Sequence, residues 1–406
     1  MLSRRFQTAL RRKPRVAIIH YWLVTMRGGE RVLERLLHLF PQADIYTHVY
    51  EPQAVSDVIR AANVKTTFIQ RMPRAAKNYK SYLPLMPFAL EEIDLSGYDL
   101  VISSESGPAK GVIAPPDAAH ICYCHSPMRY LWDQYAQYRK TAGTVGKMTM
   151  STMFPSMRAW DLASAQRIDH IFANSNFIRS RVKRAWGRDA SVLHPPVQVD
   201  RYVPTRDVRK EYLWVGQMTA YKRPDIAVEA FNRLGLPLLM VGDGEMLESL
   251  RGLAKPNIRF ARWLNYGTLR QAYAQCQALI FTAEEDFGIV PVEANASGRP
   301  VIGYGRGGLL DTVLDEETGI FFGEQSADAL VDAVDRFQHW QAHFDPVDAV
   351  MNARRFAPDM FDRGFMRKVI ELRPDLSFEM PAAMEDAHLP LVIPRPEAQM
   401  AVPFAA

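Results

Sequence analysis

Two carboxylates, Glu285 and Glu293, bracket the segment E-D-F-G-I-V-P-V-E with seven residues between them. Asp286-Phe287-Gly288 reads as a turn, and Ile289 to Ala296 carries helix formers closed by Ser297-Gly298. Glu285 then falls in the loop before a helix and Glu293 about one turn inside it. The backbone N–H groups of Gly288, Ile289 and Val290 lie between them, at a helix start suited to a phosphate or a sugar hydroxyl. A carboxylate inside that helix can accept hydrogen bonds from the two vicinal hydroxyls of a ribose. A plainer alternative makes Glu285 a capping acid and Glu293 a solvated helix residue. The neighbouring segments weigh against it. Upstream, L-W-V-G-Q-M-T-A-Y-K-R-P-D puts Lys222 in the loop after a strand, and P-L-L-M-V-G-D-G-E is a second strand ending in Gly242-Asp243-Gly244. Downstream, P-V-I-G-Y-G-R-G-G-L-L-D-T-V-L is a buried strand followed by a Gly-rich turn over Gly303 to Gly308.

The elements that must position these groups alternate between strand and helix. R-V-A-I-I-H-Y-W is a β-branched run that predicts a buried strand. A loop with Gly28 and Gly29 follows, then R-V-L-E-R-L-L-H-L-F with an apolar helical face at Val32, Leu33, Leu36, Leu37 and Phe40. Two glycines there would let the backbone approach a diphosphate closely, above a helix N-terminus. Further strand candidates are D-I-Y-T-H-V-Y, T-F-I, D-L-V-I-S-S, A-H-I-C-Y-C-H and H-I-F-A-N-S. Such alternation argues for α/β lobes, each a doubly wound parallel sheet. At 406 residues two domains are expected. H-P-P-V-Q-V-D-R-Y-V-P-T-R-D, with Pro195, Pro196 and Pro204, is the expected linker. The first domain is placed at 1–200, joined by about 356–372 returning to it, and the second at 208–355. Residues 373–406, rich in Pro, Ala and Met, are expected to form a flexible tail. Ligands of such sheets bind beyond the carboxyl ends of the strands, which points to a cleft between the lobes.

Taken in order, the Lys222, Gly242-Asp243-Gly244, E-x7-E and Gly303–Gly308 segments resemble the donor half of retaining nucleotide-sugar glycosyltransferases of family 4. The resemblance spans about residues 14–370 and is strongest to bacterial mannosyltransferases that build exopolysaccharide or O-antigen. It implies the GT-B fold: two Rossmann-like domains facing across a cleft, with a C-terminal helix crossing back. It also implies roles. The family motif Gly-Arg-Leu-x-x-x-Lys reads here Gly216-Gln217-Met218-Thr219-Ala220-Tyr221-Lys222, so Lys222 would hold the donor diphosphate and Gln217 replaces an arginine. A neutral amide does not reproduce a guanidinium fork, and Arg223 is the nearby candidate for the missing charge. Glu293 would bind ribose and Glu285 would face the sugar and diphosphate. Asp286 and the amides of Phe287, Gly288, Ile289 and Val290 would complete the donor site. Arg262, Trp263 and Leu264 lie where the family meets the nucleobase, or are a strand-end aromatic in the core beside a surface arginine. His125, at the end of I-C-Y-C-H, would face the donor sugar. Arg129, Tyr130 and Trp132 follow it, as acceptor-site residues or as core aromatics with an ion pair.

Composition narrows the setting. Apolar content of 48% and charged content of 23% describe an ordinary globular chain. No run of about 18 apolar residues is present, and the N-terminus lacks a signal-peptide pattern. Cys122, Cys124 and Cys276 are too few for a disulfide framework and read as reduced buried thiols of a cytosolic protein. The net charge of +4 divides unevenly: residues 1–200 hold 27 Lys+Arg and 16 Asp+Glu, net +11, leaving 22 and 29, net −7, for residues 201–406. Arg71, Arg74, Lys77 and Lys80, with Lys65, are interleaved with Phe68, Tyr79 and Tyr82. That pattern suits an anionic membrane surface, where each cation contributes about 1 kcal/mol; a solvated face and nucleic acid are the alternatives. Met150, Met153 and Met157 recur at near-helical spacing, as core or as a pliable wall for a lipid. No Asp-x-Asp pair occurs, so the expectation is no metal and no cofactor.

The reading is a metal-independent retaining hexosyltransferase moving mannose from GDP-mannose to a polyprenyl-diphosphate-linked oligosaccharide. Its place would be cytoplasmic, peripheral at the inner face of the plasma membrane, with no nucleic-acid partner. A UDP-glucose enzyme of the same fold and a non-catalytic nucleotide- or carbohydrate-binding protein are the alternatives. A nicotinamide oxidoreductase would need G-x-G-x-x-G in the first βα turn, which M-R-G-G-E-R lacks.

Overall fold

A computed structural model describes residues 13–378. The chain divides into two compact units, one of residues up to Pro196 together with the stretch from Phe361, the other Val197–Met360. The first unit is built on seven parallel strands: β1 (Val16–His20), β2 (Asp44–Thr47), β3 (Asn63–Thr66), β4 (Leu100–Glu105), β5 (Ala119–Cys124), β6 (His170–Ala173) and β7 (Ser191–Val192). Their order is β3-β2-β1-β4-β5-β6-β7. Every residue of β1, β4 and β5 is buried. Helices on both faces of a parallel sheet remove water from both sides, which is why β1 and β4 open on apolar runs, V-A-I-I and L-V-I, before the buried polar residues at their carboxyl ends.

The second unit has six parallel strands: β8 (Tyr212–Val215), β9 (Leu238–Val241), β10 (Ile258–Ala261), β11 (Leu279–Phe281), β12 (Val301–Tyr304) and β13 (Gly319–Phe322), ordered β10-β9-β8-β11-β12-β13. In each sheet the order reverses once, between β1 and β4 and between β8 and β11. Crossovers leave those points in opposite directions, which opens a crevice at the carboxyl ends of the two strands.

Three expectations are corrected. T-F-I is not a strand: Thr67 Oγ1 accepts from the Ile69 N–H and starts a 3-10 turn over Phe68–Arg71. The strand lies just before it, at an edge where Asn63 and Lys65 both reach Asp44 of β2, so no apolar run marks it. Gly28 and Gly29 do not form a loop; they are the first residues of the helix Gly28–Leu39. A Cβ on Gly29 would lie 2.5 Å from the Tyr21 hydroxyl, so the glycine admits that ring. The division between the units falls inside the segment expected as linker, which is itself packed. Val197 and Val199 are buried with Phe287 and Val292, and the Val197 N–H donates to the Phe356 carbonyl. Finally, Arg373 to Phe378 of the expected tail are packed. The Arg373 guanidinium donates to the Asp99 and Asp117 carbonyls, and Phe378 packs edge-on against Phe40. Residues 379–406 of the expected tail lie outside the described residues.

The helix Pro358–Leu372 returns the chain to the first unit, where Phe361, Phe365, Met366 and Val369 join the core of β1, β4 and β5. Arg35 forms an ion pair with Asp362 on that helix. Cys122, Cys124 and Cys276 are buried free thiols. Among the described residues no helix is long and apolar enough to cross a membrane.

Candidate active site

In the second unit the predicted donor residues gather at the switch point between β8 and β11. Lys222 ends the 3-10 turn Ala220–Lys222 after β8, and Glu285 follows β11. Their side chains pair at 2.7 Å, and at 15% and 19% exposure water screens them less than a surface ion pair. The turn is braced from below. Trp214 Nε1 donates to Thr282 Oγ1 at 3.2 Å, and Thr282 Oγ1 donates to the Lys222 carbonyl at 2.8 Å. The backbone of the Lys222 turn is thereby tied to Trp214 of β8 and to Thr282, which directly follows β11.

Helix Ile289–Ala296 starts beside this pair, behind Gly288 at φ 89° and ψ 77°, a left-handed cap that disfavours any side chain. Phe287 anchors the turn by packing on Phe356, with ring centroids 5.4 Å apart. The Gly-rich turn after β12 is the other buttress. The Gly308 N–H donates to the Glu285 carbonyl at 2.8 Å, and a Cβ on Gly308 would lie 2.3 Å from Phe287 Cα. So the turn Asp286–Gly288 and the Gly-rich turn Gly303–Gly308, 15 or more residues apart along the chain, pack backbone to backbone. The first-turn amides of the helix have no carbonyl one turn earlier to bond, which suits them to an anion or hydroxyl.

Glu293 lies one turn into that helix, where Tyr273 Oη donates to its Oε2 at 2.8 Å. Burial, then the adjacent carboxylate, pushes the Tyr273 hydroxyl well above its ordinary range, so it remains a donor. It fixes the carboxylate's orientation. Tyr273 was missed in the sequence because nothing in a helical Y-A-Q-C segment distinguishes a hydrogen-bonding tyrosine from a packed one.

Other predicted donor residues sit differently. Gln217 is exposed. Arg223 occupies the left-handed region (φ 52°) and turns onto Asp225, Nη2 to Oδ2 2.9 Å, rather than toward Glu285. Asp286 is half-buried. Arg262 pairs with Glu248 at 2.8 Å, Leu264 packs on the core around β8 and β11, and Trp263 is 82% exposed. The core alternative for Trp263 is therefore wrong, because the chain leaves β10 with that side chain facing water.

In the first unit His125 follows β5, at the carboxyl end beside the β1/β4 switch point. Its Nε2 lies 3.0 Å from Ser104 Oγ of β4, which lies 3.1 Å from His20 Nδ1 of β1. His20 Nε2 is 3.7 Å from Glu30 Oε1. Burial above all pushes the His125 imidazole down to about 3, so the ring is neutral. Gly29 stands against it, with its Cβ position 3.6 Å from His125 Nε2, while Gly28 opens the same helix one residue earlier. Ser104, His20 and Glu30 were not picked out in the sequence, although Glu30 directly follows Gly28-Gly29.

Of the segment after His125, Trp132 Nε1 donates to Asp161 at 2.7 Å and Tyr130 packs with Phe154, so both serve the core. Arg129 is half-buried. Met150 and Met157 are buried, while Met153 is 40% exposed. Arg71, Arg74, Lys77 and Lys80 are all exposed. Their aromatic neighbours Phe68, Tyr79 and Tyr82 turn inward onto a core with Ile69 and Met86. Lys65 is not part of that face, being paired with Asp44 at 3.0 Å.

Comparison with known proteins follows the same division. Residues 26–201 match the family described as Glycosyltransferase Family 4, and residues 201–349 the one described as Glycosyl transferases group 1. A GDP-mannose-dependent alpha-(1-6)-phosphatidylinositol monomannoside mannosyltransferase of Mycobacterium tuberculosis is 28% identical over 228 residues, 48% of this chain and 59% of that protein. The chain thus spans under two thirds of the length of the curated relatives it matches, 37% for an uncharacterized glycosyltransferase of Methanocaldococcus jannaschii. Sucrose-phosphate synthase from Thermosynechococcus elongatus shares the fold with a TM-score of 0.66 at 17% identity, over 89% of this chain and 100% of that one. HepE of Anabaena, in complex with UDP-glucose, shares it with a TM-score of 0.64 at 15% identity, over 88% and 99%.

Proposed function

Because the chain belongs to the family 4 glycosyltransferases, we propose that it transfers mannose from GDP-mannose to a polyprenyl-diphosphate-linked oligosaccharide, with retention and without a metal. The observation that carries the reading is the Lys222–Glu285 pair set beside the start of helix Ile289–Ala296, with Glu293 one turn in. Departure of a nucleoside diphosphate builds negative charge on the leaving oxygen. Lys222 and the first-turn amides answer it, and groups already in place for that charge lower the barrier without reorganising. Glu285 holds the ammonium in register and faces the transferred sugar. Glu293, oriented by Tyr273, accepts the ribose hydroxyls. Exposed Trp263 is available to stack on the base. Neutral His125, in the first unit, is available to a sugar hydroxyl. No covalent nucleophile is assigned; departure and attack share one face of the ring. Arg223, engaged by Asp225, does not replace the family arginine, so Lys222 carries the cation role largely alone.

The choice of mannose is supported by the mycobacterial relative, which is GDP-mannose-dependent. A UDP-glucose donor is the second reading, favoured by HepE's complex with that nucleotide sugar. The outward bases Arg71, Arg74, Lys77 and Lys80 support docking on an anionic inner membrane face, where a lipid-linked acceptor would reside. Exposed Val145 and Met148 with Met153, on the helix Thr144–Ala165, fit the same surface.

The test is release of nucleotide from a panel of nucleotide sugars, with lipid-linked acceptor and EDTA. GDP release from GDP-mannose should persist in EDTA, and Lys222→Ala or Glu285→Ala should reduce it by about 10²-fold or more. Silence with every donor would leave a binding protein and end the transferase reading.

A further inference from the structure

We infer that Glu30, His20 and Ser104 form a proton-ordering chain that fixes the tautomer of His125, presenting its bare Nδ1 to a ligand hydroxyl as an acceptor. The ligand-facing half rests on the transferase reading above; the tautomer half stands on the first unit alone.

The order starts at Glu30. Its Oε2 accepts the Arg27 N–H at 2.7 Å, which pins one oxygen and turns the other, Oε1, to His20 Nε2 at 3.7 Å. Glu30 and His20 are each 1% exposed. Burial pushes the Glu30 carboxyl up, but contacts with His20 and the Arg27 N–H outweigh it and hold the acid below its ordinary range. A carboxylate can only accept. The 3.7 Å separation exceeds a hydrogen bond, yet a bare nitrogen aimed at a buried anion is repelled, so the proton of neutral His20 belongs on Nε2. His20 Nδ1 is then an acceptor and takes the Ser104 hydroxyl proton across 3.1 Å. A serine has a single proton to give. With it spent on His20, Ser104 Oγ accepts from His125 Nε2–H at 3.0 Å. A neutral His125 therefore carries no proton on Nδ1.

The remaining groups around the ring do not disturb this order. Tyr123 meets it edge-on with centroids 5.1 Å apart, and Asn174 Nδ2 donates to the His125 carbonyl at 3.1 Å. Arg27 and the buried Tyr21 hydroxyl lie on the Glu30 side. Adding a proton to His20 would fill Nδ1 and reverse both later links, so the state is measured at pH 8, where an ordinary imidazole is neutral.

Glu30 and its partners are positioning residues, and the experiment reads the tautomer directly. In protein labelled with ¹⁵N-histidine, the long-range ¹H–¹⁵N spectrum at pH 8, assigned with His125→Gln, should show His125 protonated on Nε2. In Glu30→Gln the amide oxygen stays on the Arg27 N–H, so its NH₂ faces His20 Nε2 and the whole chain inverts. His125 should then carry its proton on Nδ1. With Ser104→Ala added, Glu30→Gln should no longer move His125. A wild-type His125 protonated on Nδ1 overturns the inference, whether or not the variants fold, and so does a Glu30→Gln spectrum with His125 unchanged. If sugar transfer is found, Glu30→Gln should lower kcat/KM for the donor severalfold, up to about tenfold, because the ligand hydroxyl must turn from donating to Nδ1 to accepting from Nδ1–H and give up the alignment it had. An unchanged kcat/KM removes the ligand-facing half, while absence of transfer by any variant counts against the transferase reading and leaves the tautomer result standing.

Discussion

Adding one methyl group at Gly308 should disable the candidate site without touching any chemically active side chain. Gly308 has φ −72° and ψ −11°, a conformation alanine adopts freely, so the effect of Gly308→Ala is steric alone. The new Cβ would meet Phe287 Cα at 2.3 Å, Asp286 O at 2.5 Å and Phe287 N at 2.6 Å. All three are backbone atoms, and no rotamer change can relieve them. Restoring ordinary contact requires the turn before helix Ile289–Ala296 to retreat by about 1 Å, against the Phe287–Phe356 packing that holds it. Overpacking of this kind costs about 1–3 kcal/mol, or roughly 2–10 °C in Tm for a unit of this size. The functional cost is larger in proportion, because a displacement of about 1 Å in a reacting group costs about 10²-fold in rate. Calorimetry and nucleotide release should be measured together, with Gly323→Ala as control, since a Cβ there meets nothing within 4 Å. A Gly308→Ala protein with unaltered turnover would show that the Asp286-Phe287 backbone does not shape the site. A normal Tm as well would mean the two loops do not pack as described.

Two further outcomes follow from buried groups. Burial pushes the imidazoles of His48 and His120 down to about 4 and about 3, and both are 1% exposed. They stay neutral in the fold but take up protons in the unfolded chain below about pH 6.5, so stability falls as pH drops from there and levels off only below the folded values. At pH 5.5 each contributes a loss of about 1.4 kcal/mol relative to pH 7.5; urea unfolding should show the drop, and His120→Gln should reduce it by that share. Equal stability of wild type and His120→Gln across the two pH values would contradict the burial. Tyr273→Phe removes the donor that orients Glu293 and should raise the donor KM about three- to tenfold with kcat nearly unchanged; a fall in kcat alone would take Glu293 out of nucleotide binding.

The helix carrying Glu293 was legible in sequence to the residue, because a Gly turn, an apolar run and a Ser-Gly stop are local signals. Buried strands were equally plain where a β-branched apolar run opens them, as in β1 and β4. Edge strand β3 was hidden, since its stability comes from Asn63 and Lys65 reaching Asp44 on another strand. The packing of Arg373 was also hidden, because it is held by carbonyls 256 and 274 residues away in sequence.

By itself the sequence determined which segments alternate as strand and helix, where the cation, the two carboxylates and the histidine stand relative to strand ends, and so the family. Those properties depend on residues a few positions apart. Only the tertiary structure decided that Lys222 faces Glu285 and Arg223 does not, that Gly308 seats the turn before the helix, and that Glu30 reaches His125 through two intermediaries. These are contacts made across parallel strands whose neighbours are set by crossovers of a dozen or more residues, and no local pattern records which side chains a crossover brings together.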